Sequence, residues 1–141
     1  MVKEIYFEDV NIGDEITPLV KEPIPKVQMV KYAGASGDFH PAHTDQELGK
    51  SMGMGGVFAH GMLIMGFVGE AITSWIPKKY LRKFGVKFVG VTMPGNVITV
   101  SGKVIDKDVE KGLITCDVLA KDQEGQLKIK GNFVVELPAK G

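Results

Sequence analysis

The run from Val57 to Ile76 constrains this chain more than any other stretch. Met62, Leu63, Ile64, Met65, Phe67, Val68, Ala71, Ile72, Trp75 and Ile76 occupy almost every direction around a helix written from His60 to Ile76. A helix that is apolar all round is a buried helix. At ~1.5 Å per residue it spans roughly 25 Å, the width of a small domain, so the rest of the chain has to wrap around it. His60, Glu70 and repeated glycines interrupt the run too often for a good membrane span. Pro77-Lys78-Lys79 ends the helix and returns the chain to water.

The C-terminal sixty residues have the pattern of a wrapper. Four long antiparallel strands are expected at about Leu81–Met93, Asn96–Lys107, Leu113–Lys121 and Gln126–Leu137, separated by Pro94-Gly95, Glu110-Lys111-Gly112 and Glu124-Gly125. In the last of them Leu127, Ile129, Phe133, Val135 and Leu137 face one way, and Lys128, Lys130, Asn132 and Glu136 face the other. That is a sheet with one buried and one wetter face. In the third strand Ile114, Cys116, Val118 and Ala120 share a side, which makes Cys116 a core residue. The expectation is an α+β fold: one domain over residues 1–141, with a long buried helix against a curved antiparallel sheet. Such a layer leaves an edge strand uncovered, so a dimer that continues the sheet is expected.

The N-terminal part carries a turn at Asn11–Asp14, an extended segment at Glu15–Val20 and a helix at Lys26–Ser36 that stops at Gly37. Thr44-Asp-Gln-Glu47 fits a capping box ahead of a short helix at roughly Asp45–Met52, with Gly49 as a weak point. Gly53-Met-Gly-Gly56 reads as a flexible junction.

Charge and cysteine content exclude several function classes. Lys+Arg and Asp+Glu are both 17, so the formal net charge is zero and bulk nucleic acid or an acidic membrane surface is not the expected partner. A single cysteine allows no intrachain disulfide and no four-cysteine metal site. The N-terminus has charges where a signal peptide needs an apolar run, so a soluble, cytoplasmic protein is expected.

From the end of the first helix into the link to the short second one runs Tyr32-Ala-Gly-Ala-Ser-Gly-Asp-Phe-His-Pro-Ala-His43. It holds two of the three histidines and an aspartate on a turn pinned by Gly37 and Pro41. Pro41 has no N–H and disfavours helix at His40. Asp38 alone could be a turn residue, since Asp is common there. With His43 nearby, a rigid polar turn carrying an acid and an imidazole reads as a site more than as packing. His40, His43 and Asp45 do not form a firm metal ligand set, because Pro41 disrupts a helical His-x-x-His spacing.

This motif, together with Ala59-His60-Gly61-Met62 and the strand meander, resembles the MaoC-like (R)-specific enoyl-CoA hydratases and 3-hydroxyacyl-thioester dehydratases, and the resemblance runs over nearly the whole chain. It implies a single hot-dog fold, in which a long helix is wrapped by a curved sheet. It also implies that Asp38 and His43 are catalytic and that the Gly61 N–H serves the substrate thioester oxygen. His40 stands where the family usually has Asn; Phe39, His40, His60 and Met62 are the residues expected to contact substrate or order the site around it. The implied substrate is an acyl-CoA or acyl-carrier-protein thioester, with no cofactor and no metal, in a homodimer or a heterodimer. Two other readings remain open: a hot-dog thioesterase using Glu70 on the long helix, and a partner subunit that binds acyl thioesters without catalysis.

Overall fold

The computed structural model of the chain describes residues 2–141. The element order is β1 (Leu19–Val20), α1 (Lys26–Ser36), α2 (Gln46–Ser51), α3 (Gly61–Trp75), β2 (Leu81–Phe88), β3 (Thr99–Asp108), β4 (Leu113–Lys121) and β5 (Leu127–Glu136). The strands form one antiparallel sheet in the order β1-β3-β4-β5-β2, which curls over α3. This is the helix-in-sheet arrangement the sequence implies.

α3 ends where the sequence says it should, with His60 and Ile76 as its caps. Leu63, Ile64, Phe67, Val68, Ala71 and Ile72 are buried against the inner sheet residues Val100, Val104, Ile114, Cys116, Val118, Ile129, Phe133 and Val135. Phe133 is fully buried, with its ring edge-on to Trp75 at 6.1 Å. Truncating such a side chain to Ala costs about 3–5 kcal/mol. The expectation that α3 is buried all round is corrected: Met62, Gly66, Glu70 and Ser74 are exposed. The sheet wraps one side of the helix, and the other side carries glycine and polar residues.

The sheet curls tightly because several backbones meet without side chains. A Cβ on Gly131 would lie 2.1 Å from the Gly85 carbonyl oxygen on the neighbouring strand. A bulge in β3 between Val104 and Asp106 bends the same sheet at its other end. The N-terminal arm lies along β3 through Gly13 N–H to Val104 O, Ile16 N–H to Gly102 O and Lys21 N–H to Ile98 O. Only Leu19–Val20 counts as strand there, because Pro18 interrupts the Glu15–Val20 segment.

Three other boundaries differ from expectation. β3 begins at Thr99 instead of Asn96, whose N–H closes a turn on Met93 O. β2 stops at Phe88 instead of running to Met93: Val89 and Gly90 still donate to the Lys128 carbonyl, and then the chain turns so that Thr92 O accepts the Ala59 N–H at 2.8 Å. The short second helix is capped by Asp45, not Thr44. The Asp45 carboxylate accepts from the N–H groups of Glu47 and Leu48, while the Thr44 N–H closes the preceding 3-10 turn on Pro41 O.

Lys128, expected on the wet face, is buried. The loop after β2 covers it, and its ammonium donates to Val91 O at 2.7 Å and faces Asp122 Oδ2 at 3.3 Å. Burial pushes the Asp122 carboxyl up, but hydrogen bonds from the Gln126 and Glu124 N–H groups and from Lys128 outweigh it and hold it below the usual carboxylate value. Cys116 is a core residue as expected; burial, with some help from Asp117, pushes its thiol up to about 12.

Candidate active site

The site is assembled from the α1–α2 connection and the first turn of α3. Helix α1 ends with Gly37 in the left-handed conformation at φ 78°, with its N–H on Ala33 O. This C-terminal stop suits glycine. It turns the chain so that Asp38, Phe39 and His40 lie exposed. Asp38 Oδ1 accepts the His40 N–H at 3.2 Å, and His40 Nδ1 accepts the Ala42 N–H at 3.2 Å. His40 therefore caps the 3-10 turn Pro41–His43, supplying an acceptor where the resembling family has an Asn side chain.

The turn swings His43 inward. Its side chain is 11% exposed, against 53% for Asp38. His43 Nδ1 lies 2.7 Å from the Phe58 carbonyl oxygen. A carbonyl only accepts, so Nδ1 carries the proton and, in the neutral ring, Nε2 is left as an acceptor. Nε2 faces Asp38 Oδ2 at 3.9 Å. That gap is too long for a direct hydrogen bond. One water donating both its hydrogens spans roughly 4 Å between two acceptors, given ordinary hydrogen-bond lengths.

Behind this pair sits His60, 1% exposed. Its ring stacks on His43 at 3.8 Å between centroids and 25° between planes, and Tyr32 meets it edge-on at 4.9 Å. His60 Nε2 bonds the Asp38 backbone carbonyl at 3.0 Å. This places His60 beneath the surface, out of reach of a bound molecule, while Phe39 at 69% and Met62 at 55% exposure stand at the rim.

Ligand atoms of Asp38, His43 and His60 come within 4.8 Å of one another, a grouping that sequence spacing does not indicate. The two rings are nearly face to face, so their lone pairs run side by side instead of converging, and one nitrogen of each is already engaged by a carbonyl. These residues fit a metal ion poorly.

Gly61 follows His60 as the first residue of α3, so its N–H has no partner within the helix. The helix dipole adds positive potential there. Phe88, at the end of β2, lies over it: a Cβ on Gly61 would come 3.0 Å from the Phe88 ring. Gly61 and Phe88 also line a cavity of about 130 Å³ that reaches Thr92 and Lys128. A larger groove, about 570 Å³, lies elsewhere, on the sheet between Lys87, Asp117 and Lys130, and holds none of the site residues. Phe58 and Phe88 carry no sequence signal that ties them to the site's contacts, because each enters through tertiary packing; Tyr32 opens the motif, and its contact with His60 is what tertiary packing adds.

Residues 9–124 match the model of the MaoC-like domain. The chain belongs to this family. Among MaoC-like relatives, the (R)-specific enoyl-CoA hydratase of Rhodospirillum rubrum is 28% identical over 143 aligned residues, covering 96% of this chain and 94% of that protein. The 3-hydroxybutyryl-CoA dehydratase of Methylorubrum extorquens is 21% identical, covering 99% of this chain and 88% of that protein. An unliganded R-hydratase from Pseudomonas aeruginosa superimposes with a TM-score of 0.84 at 21% identity, over 99% of this chain and 89% of that one. The MaoC-like chain thus has the hot-dog fold, and hydratase and dehydratase names among its relatives support a lyase. Among the described residues, no helix is long and apolar enough to cross a membrane.

Proposed function

We propose that the protein adds water to trans-2-enoyl thioesters to give (R)-3-hydroxyacyl thioesters, or runs the same reaction backwards. Asp38 and His43 hold the water, and the Gly61 N–H receives the charge that develops on the thioester oxygen. The observation that carries this reading is the His43 ring. Its Nδ1–H is fixed on the Phe58 carbonyl, and Nε2 is turned toward Asp38 Oδ2 across a gap that suits one water.

In the forward direction an O–H bond of that water breaks as its oxygen bonds C3. The π electrons move toward C2 and the thioester oxygen, and the proton held by the pair is delivered to C2. Asp38 and His43 act as a coupled unit, so the acid and base labels belong to the pair. Acid–base help of this kind is worth about 10²–10⁴-fold in rate. A backbone donor at a helix N-terminus suits the growing negative charge on oxygen, and losing such a donor typically costs ~3–4 kcal/mol.

The substrate in this reading is a CoA or carrier-protein thioester. The working unit is a homodimer, with a heterodimer as the other arrangement. Phe39, Met62, Phe88, Val89 and Val91 are exposed apolar side chains around the site, and β2 has a free edge. A second copy covering both would close the site from water. Sedimentation of the purified chain checks this, a monomer at working concentration being the contrary result.

The thioesterase alternative is weaker on one observation: the Glu70 carboxylate is occupied by Lys21 at 2.9 Å on the helix side that meets the N-terminal arm. The test is the loss of enoyl absorbance with crotonyl-CoA and longer trans-2-enoyl-CoAs, for wild type against Asp38→Asn and His43→Gln. Loss in both variants supports the reading. Hydrolysis of the thioester without hydration overturns it.

A further inference from the structure

One polar atom of the site is left without a partner: among the described residues, His60 Nδ1 is the buried side-chain nitrogen or oxygen with no hydrogen bond. An orphaned buried acceptor is a standing cost to stability. A phenylalanine would fill the same space without that cost. Capping does not explain the histidine either, because at the N-cap of α3 its side chain bonds no helix N–H.

What the ring does offer is its other nitrogen and its face. Nε2 lies on the Asp38 carbonyl, so that nitrogen carries the proton and Nδ1 is the bare one. The ring face lies against His43. The His60 backbone leads directly into Gly61, and its own carbonyl accepts the Leu63 N–H to start the helix. One residue thus touches all three parts of the site, with no other element between them.

We propose that His60 is a positioning residue that sets the spacing between the Gly61 N–H and the Asp38–His43 pair. The Nε2–H bond holds the backbone of Asp38. The stacked face keeps the His43 ring in the plane from which Nδ1–H meets the Phe58 carbonyl. The proposal rests on the hydratase reading for its effect on rate, but not for its effect on His43.

Two substitutions separate the donor from the ring. His60→Phe keeps a flat ring and removes both nitrogens; His60→Gln keeps an N–H donor with about the reach of Nε2 and removes the stack. With an enoyl-CoA substrate, His60→Phe is expected to lower kcat about 10²-fold, the size of effect that a small misplacement of reacting groups produces. KM changes little and Tm is not lowered, because the orphan acceptor is gone; His60→Gln, which restores the donor but not the stack, recovers part of the loss. A His60→Phe enzyme with wild-type kcat overturns the proposal, as does one whose activity falls only in step with its folded fraction.

Long-range proton–nitrogen spectra of the three imidazoles give a second reading that needs no turnover. The proposal expects His60 protonated on Nε2 and His43 on Nδ1 in the wild type, with the His43 preference kept in His60→Phe, whose ring still stacks, and weakened in His60→Gln, whose stack is gone. A wild-type His60 protonated on Nδ1 overturns it, whether or not the variants fold. If the wild type shows these tautomers but hydrates no enoyl thioester, the hydratase reading falls and the positioning of His43 stands.

Discussion

The molecule contains two acid–base pairs built on nearly the same plan. In each, a turn aspartate accepts one or two backbone N–H groups with Oδ1 and turns Oδ2 toward a basic side chain. In each, that basic side chain is tied from behind to a backbone carbonyl at 2.7 Å: Lys128 to Val91 O, and His43 to Phe58 O. They differ in how water reaches them. Asp122 and Lys128 are 4% and 9% exposed and 3.3 Å apart, with two N–H groups on the carboxylate. Asp38 and His43 are 53% and 11% exposed and 3.9 Å apart, with one N–H on the carboxylate. The first pair is sealed and satisfied, so it holds a turn. The second is held firmly on the histidine side and left open on the acid side, so water can reach the gap between its two members.

The steepest loss of activity is expected at the open pair. Asp38→Asn or His43→Gln should lower kcat with crotonyl-CoA by about 10²–10⁴-fold, and the Asp38 change should leave Tm almost unmoved, since that carboxylate is half in water. Steady-state kinetics and calorimetry on the same samples check both halves.

Asp122→Asn should do the opposite: lower Tm while leaving kcat per folded molecule intact. The direction of the pH effect comes from the depressed Asp122 carboxyl. Its stabilisation is complete above the ordinary carboxylate range, near pH 4. It is lost as pH falls through the lower folded value. Acid unfolding of wild type and variant should therefore converge at low pH. A gap that stays constant down to about pH 2 would mean the carboxylate charge is not what holds the turn.

A smaller effect is expected at Gly61→Ala. The new Cβ meets the Phe88 ring at 3.0 Å, and because Phe88 is half exposed the ring can swing aside. The fold should survive and activity should fall by about tenfold, a part of the loss that removing such a donor outright would bring. Phe88→Ala in the same chain should restore some of it. Cys116, with its thiol pushed up to about 12, should resist alkylation until the protein unfolds. Its modification rate then reports global opening, and Asp122→Asn should raise it where Asp38→Asn does not. The smallest effect is at Glu70→Ala. The Lys21 pair is exposed and worth about 0–1 kcal/mol, and hydration should continue at the wild-type rate.

Much of the fold is readable from the chain itself, for identifiable reasons. α1 and α3 carry their stop signals in sequence, Gly37 and Pro77, and both helices end beside them. Asp38 and His43 sit on one short turn whose shape Gly37 and Pro41 dictate, so their closeness is a local property. The end of β2 is not readable. Val89 to Met93 keep a strand-like composition and leave the sheet only because the segment before α3 takes the Thr92 carbonyl. Lys128 belongs to the same class, since the loop that buries it is distant in sequence. The choice of Asp45 over Thr44 as cap depends on the 3-10 turn just upstream consuming Thr44. The stacking of His60 on His43 joins residues whose spacing carries no periodic signal at all.

Gly49 shows how far such tertiary control extends. By propensity it is a weak point of α2; in the folded chain it is buried, and a Cβ there would stand 2.0 Å from the Gly56 carbonyl oxygen. Gln46 on the same helix accepts the Val57 N–H at 3.1 Å. Helix and loop are thus clamped together just ahead of Phe58, whose carbonyl fixes the His43 proton. A laboratory selection for altered activity would therefore find Gly49 intolerant of every replacement, although it touches no reacting group. The missing methyl works like the zero mark on a ruler, from which the position of the imidazole is measured.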